Sequence, residues 1–247
     1  MISVYLECTP VEAEALIAEL HERGTLGVME LGVGLRAWFE DAAGLDELIA
    51  RYDGAVLAEE DEDWVRRTQN SFPAIEVGER FWLAPPWNTE APPAGRMRLE
   101  VNPGMACGTG WHPCTQMCIE ALEEYVRPGA SVLDVGTGSG ILLAAAELLG
   151  AGRLVGCDVD RSAAAIARDR VGACVFAGSV AAVASESFDI VVANISAPVI
   201  EALWPDLRRA SRVGGVAILS GFQTATEIDA DVQIWERDGW LCLVVRM

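Results

Sequence analysis

Apolar positions recur in two rhythms along this chain. In Ile2–Glu7 they alternate with polar ones, as in a half-buried strand, and beyond Pro10 the residues Leu16 and Leu20 stand four apart, as on one helix face. Thr9 before Pro10, with Glu12 three positions on, marks a capped helix start, and Gly24 closes the helix. Leu26–Leu31 and Leu35–Phe39 predict a strand pair turning at Gly32 and Gly34. Leu45–Tyr52 predicts a short helix ended by Gly54, and Ala55–Ala58 a last strand. The order β-α-β-β-α-β predicts a small ferredoxin-like α+β domain over residues 1–58. It carries no catalytic constellation, and such a module more often binds a partner than performs chemistry.

Residues 59–95 predict a linker: the acid run Glu59–Asp63, a connecting helix over Trp64–Asn70, an apolar strand in Phe81–Trp87 stopped by prolines, and a loop over Asn88–Gly95. From Arg96 the rhythm changes. Short apolar runs (Arg96–Val101, Val132–Val135, Gly152–Cys157, Ala173–Ala177, Phe188–Ala193, Gly215–Ser220) alternate with helical ones (Thr115–Val126, Ile141–Leu149, Arg161–Arg170, Ala197–Ala210). Pro205 is expected to kink or divide the last of these helices. Val232–Trp235 and Trp240–Val245 pair as a hairpin around Arg237, Asp238 and Gly239. The pattern predicts an α/β fold for residues 96–247, a doubly wound, seven-stranded, Rossmann-like sheet.

The chemistry gathers at Ser131–Gly140, S-V-L-D-V-G-T-G-S-G. A buried strand ends at Asp134, then Gly136, Gly138 and Gly140 alternate with Thr137 and Ser139 in a turn that side chains would obstruct. Such a turn lets backbone N–H groups approach a ligand, and the following helix aims its positive end at the same spot. A nicotinamide fingerprint would need a third glycine where Ile141 stands, and a phosphate-binding P-loop would need a lysine that is absent. What remains, D-x-G-x-G-x-G, resembles the S-adenosylmethionine loop of doubly wound methyltransferases. That ligand's carboxylate suits a helix N-terminus, and its ammonium suits an acceptor such as Asp134 or a carbonyl. Asp158 ends the next strand and can accept both ribose hydroxyls. The plain alternative is a glycine turn and a surface aspartate of the kind any parallel sheet carries.

Composition narrows the partners. Hydrophobic residues make up 51% of the 247 positions, enough for a sizeable core. The net charge of −19 argues against direct contact with nucleic acid and fits a basic protein partner, or solubility alone. Seven cysteines without C-x-x-C spacing, with His21 and His112 the only histidines, predict no metal site; they read as small core hydrophobes in a reducing cytosol. No basic leader and no membrane-spanning run is visible, so the expected location is cytoplasmic.

Three further residues stand at the ends of strands or in the glycine-rich segment 102–115. His112 is either a base or a structural histidine bonded to a carbonyl. Ser179, after the third strand, is placed to approach an adenine edge. Asn194 follows Phe188–Ala193 at the carboxyl end, where open α/β sheets hold their ligands. Its carbonyl can take an amine N–H and aim the lone pair along a sulfur–methyl axis; the alternative is a common asparagine turn.

The stretches P-G-M-A-C-G-T-G-W-H-P-C-T, L-D-V-G-T-G-S-G-I-L, G-C-D-V-D, F-D-I-V-V-A-N-I and I-L-S-G-F resemble the PrmA family, as do D-E-D-W and the P-P-W strand upstream. Members of that family methylate the eleventh large-subunit ribosomal protein. The resemblance implies a lysine and α-amino N-methyltransferase with S-adenosylmethionine as donor, and a small N-terminal domain that recognises the substrate through a mobile linker. It implies that Gly136, Gly138 and Asp158 hold the cofactor with Ser179 near the adenine. Thr109, His112 and Thr115 would lie in a loop closing on the methionine end, and Asn194 would orient the amine. The chain departs from the family's F-G-T-G-T-H-P-T-T at Cys107, Trp111 and Cys114, is shorter between Arg170 and Val175, and lacks most of a helix and strand between Phe222 and Val232. The alternatives are a non-catalytic S-adenosylmethionine-binding module and a small-molecule N-methyltransferase.

Overall fold

The computed structural model describes residues 2–31, 34–41, 43–57, 72–102, 110–224, 228 and 231–247. Gly32, Ala58, the acid run Glu59–Asp63, the helix expected over Trp64–Asn70 and Thr109 lie outside the described residues. The chain divides into two compact units, Met1–Ser71 and Phe72–Met247.

In the first unit β1 (Ile2–Leu6), α1 (Pro10–Glu22), β2 (Gly27–Leu31), β3 (Gly34–Phe39), α2 (Asp46–Arg51) and β4 (Ala55–Leu57) follow in order. The four strands form an antiparallel sheet in the order β2-β3-β1-β4. Glu12 Oε2 accepts from the Thr9 backbone N–H at 2.9 Å and from its hydroxyl at 2.6 Å, which satisfies a donor that a helix start leaves orphaned. Leu16 and Leu20 of α1 and Leu48 of α2 are fully buried against Val4, Leu6, Leu35 and Ala37.

The second unit opens with β5 (Ile75–Val77), β6 (Phe81–Ala84) and β7 (Met97–Glu100), which form a sheet of their own with β6 between the other two. Residues 72–95, assigned from sequence to a linker, therefore belong to this unit. The cause is tertiary: every residue of β6 is buried, and Glu123 of the helix α3 (Pro113–Tyr125) accepts from the N–H groups of Glu79 and Arg80 at 3.0 and 2.9 Å. The prolines stop β6 without ending the unit, because Arg98 holds the loop by donating to the Pro85 and Asn88 carbonyls.

The main sheet comprises β8 (Ser131–Val135), β9 (Arg153–Asp158), β10 (Cys174–Ala177), β11 (Phe188–Asn194), β12 (Ser211–Phe222), β13 (Val232–Arg237) and β14 (Trp240–Arg246), in the order β10-β9-β8-β11-β12-β14-β13. The first five run parallel; β14 and β13 run antiparallel to their neighbours. Asp238 and Gly239 join the last two with φ of 51° and 77°, the positive values a two-residue hairpin turn needs. Alternate residues face opposite layers. Val132, Val192 and Ile218 pack with α3 and with α4 (Ile141–Leu148), whereas Leu133, Val191 and Leu219 pack with α6 (Ala197–Ala210). Ala164 and Ala167 of α5 (Arg161–Arg170) pack on Leu143 of α4. Pro205 lies inside α6 without dividing it, and α3 begins at Pro113 rather than Thr115, with His112 as its N-cap.

Candidate functional site

Strands β8, β9 and β11 end side by side, and each delivers functional groups from its carboxyl end. After β8 the chain turns at Gly136, Gly138 and Gly140, with φ of 72°, 52° and 74°. A Cβ on Gly136 would sit 2.5 Å from Cγ2 of Ile195, so the left-handed backbone and the close neighbour both demand glycine. The amides of this loop are used differently from the sequence expectation. Gly136 and Thr137 donate to the Cys157 carbonyl at 2.8 and 3.1 Å, Gly138 donates to Asp158 Oδ2 at 2.9 Å, and Gly140 donates to the Thr137 carbonyl. The loop is thus locked onto β9, and what it offers a ligand is the bare backbone of Gly136 and Gly138 beside Thr137.

Asp158 ends β9 on the wall of the same cleft. Its Oδ2 accepts from Gly138 and its Oδ1 from the Asp160 N–H at 3.0 Å. Each oxygen keeps acceptor capacity for one more donor. Asn194 ends β11, paired in register with Ser220 of β12. Its amide nitrogen donates across the fold to the hydroxyl of buried Thr115 at 3.2 Å, which leaves the carbonyl oxygen as the acceptor for an incoming group. These residues surround a cleft of about 580 Å³, with Gly136, Gly138, Asp158, Ser179 and Asn194 on its wall and Cys157 beneath. Burial pushes the Cys157 thiol up to about 12, so it remains a neutral thiol. The volume is that of a small-molecule site.

Asp134 is placed differently from expectation. It is 1% exposed and is not on the cleft wall. Its Oδ2 accepts from the Thr137 hydroxyl at 2.8 Å, while Oδ1 is buried with no hydrogen-bond partner among the described residues. Burial raises its carboxyl to about 7; the Thr137 hydroxyl opposes the rise and the Asp158 charge adds to it. Between its ordinary range and 7 the folded chain therefore holds a proton that the unfolded chain releases. The stability this carboxyl contributes is full at low pH and is lost as pH rises through about 7. Asp134→Asn mimics the neutral form. Relative to the parent it is expected to be more stable at about pH 8 than at about pH 5, by on the order of 2 kcal/mol, read by urea denaturation at both values. An equal difference at both would mean that the carboxyl is ionised throughout.

Of the residues singled out from sequence, Gly136, Gly138, Asp158, Ser179 and Asn194 share one cleft, and Thr115 reaches it through Asn194. Ser179 caps a short helical turn, accepting from the Ala181 N–H at 3.5 Å. His112 does not line the cleft. It is exposed, its Nδ1 accepts from the Cys114 N–H at 3.3 Å, and its ring packs edge-on against Trp240 at 4.5 Å. Its partner is thus a backbone N–H, not the carbonyl of the structural alternative. Sequence reasoning missed Ile195 and Val199 on the wall. They stand four apart across the start of α6, immediately after Asn194, and that spacing was a usable signal.

A family model described as ribosomal protein L11 methyltransferase (PrmA) matches residues 39–247. Proteins named ribosomal protein L11 methyltransferase from Burkholderia multivorans and Burkholderia ambifaria are each 43% identical to this chain over 196 residues. Each alignment spans 74% of this chain and 65% of the relative, so the match covers just under two thirds of their length. A crystal structure of ribosomal protein L11 methylase from Lactobacillus delbrueckii subsp. bulgaricus superposes with a TM-score of 0.63 at 26% identity, covering 70% of this chain and 98% of that one. The mixed α/β architecture of the second unit is that of S-adenosylmethionine-dependent methyltransferases. No helix among the described residues is long and apolar enough to cross a membrane.

Proposed function

Since the chain belongs to the ribosomal protein L11 methyltransferase (PrmA) family, we propose that it moves a methyl group from S-adenosylmethionine to lysine and α-amino nitrogens of ribosomal protein L11. One observation supports this above the others: Gly136, Asp158 and Asn194 end three adjacent strands around one cleft. The residues suit that nucleoside. A glycine loop, a carboxylate with unused acceptor capacity beside it, and the Ser179 hydroxyl match a sugar flanked by an adenine and an amino-acid tail. The cofactor, when bound, supplies a methyl group already activated by positive sulfur.

What the chain adds is position. Asp158 would grip the ribose, and Asn194, with its amide nitrogen held by Thr115, would accept one N–H of the substrate amine. An ammonium has no free electron pair, so the acceptor must arrive neutral or lose its proton to water. Ile195 and Val199 bring the first turn of α6 to the cleft, and the positive end of that helix disfavours an ammonium there. In-line displacement then depends on alignment and on exclusion of water.

The small unit, with its β-α-β-β-α-β order and antiparallel sheet, fits a ferredoxin-like domain that holds the substrate. The chain's excess of acid, −19, complements a basic ribosomal protein. A ribosomal substrate fits a reaction in the cytoplasm. The test is incubation with methyl-labelled donor and purified ribosomal protein L11, followed by mass spectrometry. All 18 basic side chains of this chain are arginine, so a labelled lysine can only belong to the substrate. Label on those lysines is expected; donor binding without transfer would leave a binding module.

A further inference from the structure

Ile195 and Val199 line the cleft beside Asn194, across the glycine loop from Asp158 and Ser179. Val199 lies in the first turn of α6 and is 44% exposed, although it is apolar and lines a cleft. Among the described residues of the second unit, the exposed large hydrophobics are Leu148, Val159, Val199, Val213 and Ile234, and only Val159 and Val199 lie on this cleft. They stand at opposite ends. Val159 follows Asp158 on β9, whereas Val199 follows Asn194 on β11, with β8 and its glycine loop between.

The Asn194 end is not where a ribose or an adenine would lie if Asp158 and Ser179 hold those groups. Ile195 donates its N–H to the Ser220 carbonyl and presses its side chain against Gly136, so it closes the floor between the loop and Asn194. Val199, four residues on, lines the same cleft and keeps much of its surface exposed. An exposed apolar surface in a concave site marks a ligand contact. The group that must reach the Asn194 carbonyl is an amine, and a lysine carries it on four methylenes that gain by leaving water while the head stays polar.

We infer that Val199 and Ile195 form an apolar collar for the methylene stem of the acceptor lysine, and so set its preference over an α-amine, which has no such stem. The inference rests on the methyltransferase function proposed above. Val199→Ser removes apolar surface at an exposed helix position and leaves Asn194, Asp158 and the glycine loop intact. With ribosomal protein L11 and methyl-labelled donor, site-resolved mass spectrometry is expected to show label at lysines falling roughly 3- to 10-fold relative to label at the α-amine, through KM rather than kcat. Affinity for S-adenosylhomocysteine, measured by calorimetry, is expected to stay the same. Val199→Leu, which keeps an apolar side chain, is expected to hold the ratio within about twofold. A parallel fall at both kinds of amine, an unchanged ratio, or a loss of S-adenosylhomocysteine affinity in Val199→Ser would each overturn the collar. A wild-type chain that methylates nothing would sink the proposed function and the collar with it, whereas an active wild type with an unaltered ratio overturns the collar alone.

Discussion

Asn194→Ala is expected to lower turnover by about two to three orders of magnitude while leaving S-adenosylhomocysteine affinity within about threefold. The split follows from what the side chain touches. Its amide nitrogen donates to the Thr115 hydroxyl, and on the proposed function the carbonyl oxygen is the acceptor that fixes the direction of the amine's lone pair, which truncation removes. Asp158 and Ser179, to which the proposed function gives the sugar and the base, keep all their atoms. The fold should also survive, because Asn194 is only half-buried and its β11 backbone pairing does not involve the side chain. Single-turnover rates with saturating donor, beside calorimetry, separate the two effects. Turnover close to that of the parent would remove Asn194 from the reaction.

Asp158→Ala acts on the other side of the same ledger and is expected to weaken donor binding by about 100-fold or more, since each hydrogen bond to a charged acceptor contributes roughly 1.5–3 kcal/mol. Two losses combine. On the proposed function the ribose hydroxyls lose their acceptor, and the N–H groups of Gly138 and Asp160 lose the carboxylate that anchors them, which frees the glycine loop on one side. Asp158→Asn keeps one carbonyl acceptor but places an amide donor against one of those N–H groups. It should recover only part of the affinity. Calorimetry with S-adenosylhomocysteine reads both variants, and equal affinity for all three proteins would mean the ribose lies elsewhere.

Much of this site was legible because it is written locally. A strand that ends in glycines, a second that ends in an acid and a third that ends in asparagine each announce themselves within a few residues, and the parallel order then brings Gly136, Asp158 and Asn194 together. What could not be read depends on register and long-range packing. The loop amides are spent on Cys157 and Asp158 because β9 lies alongside β8 in one particular register. Asp134 looked like a ligand contact, yet it sits a residue before the strand's end and turns into the fold toward Thr137. Thr115 and Asn194 meet across 79 positions, which no local pattern signals. The prolines after β6 looked like a boundary, but the capping of Glu79 and Arg80 by Glu123 and the pairing of β6 with β7 carry those residues into the second unit. Pro205 is tolerated because α6 buries Ile200 and Leu207 on either side of it. The hairpin turn at Asp238 and Gly239 was legible because both residues tolerate positive φ.

On the proposed function, one nucleoside spans the carboxyl ends of β9, β8 and β11. A crystal of this chain grown with S-adenosylhomocysteine tests it most directly. The expected density has both ribose hydroxyls on the Asp158 carboxylate, the adenine toward Ser179, and the sulfur facing Asn194. Density for the nucleoside on another surface, or a cleft left vacant at saturating ligand, would mean that these strand ends do not hold the methyl donor.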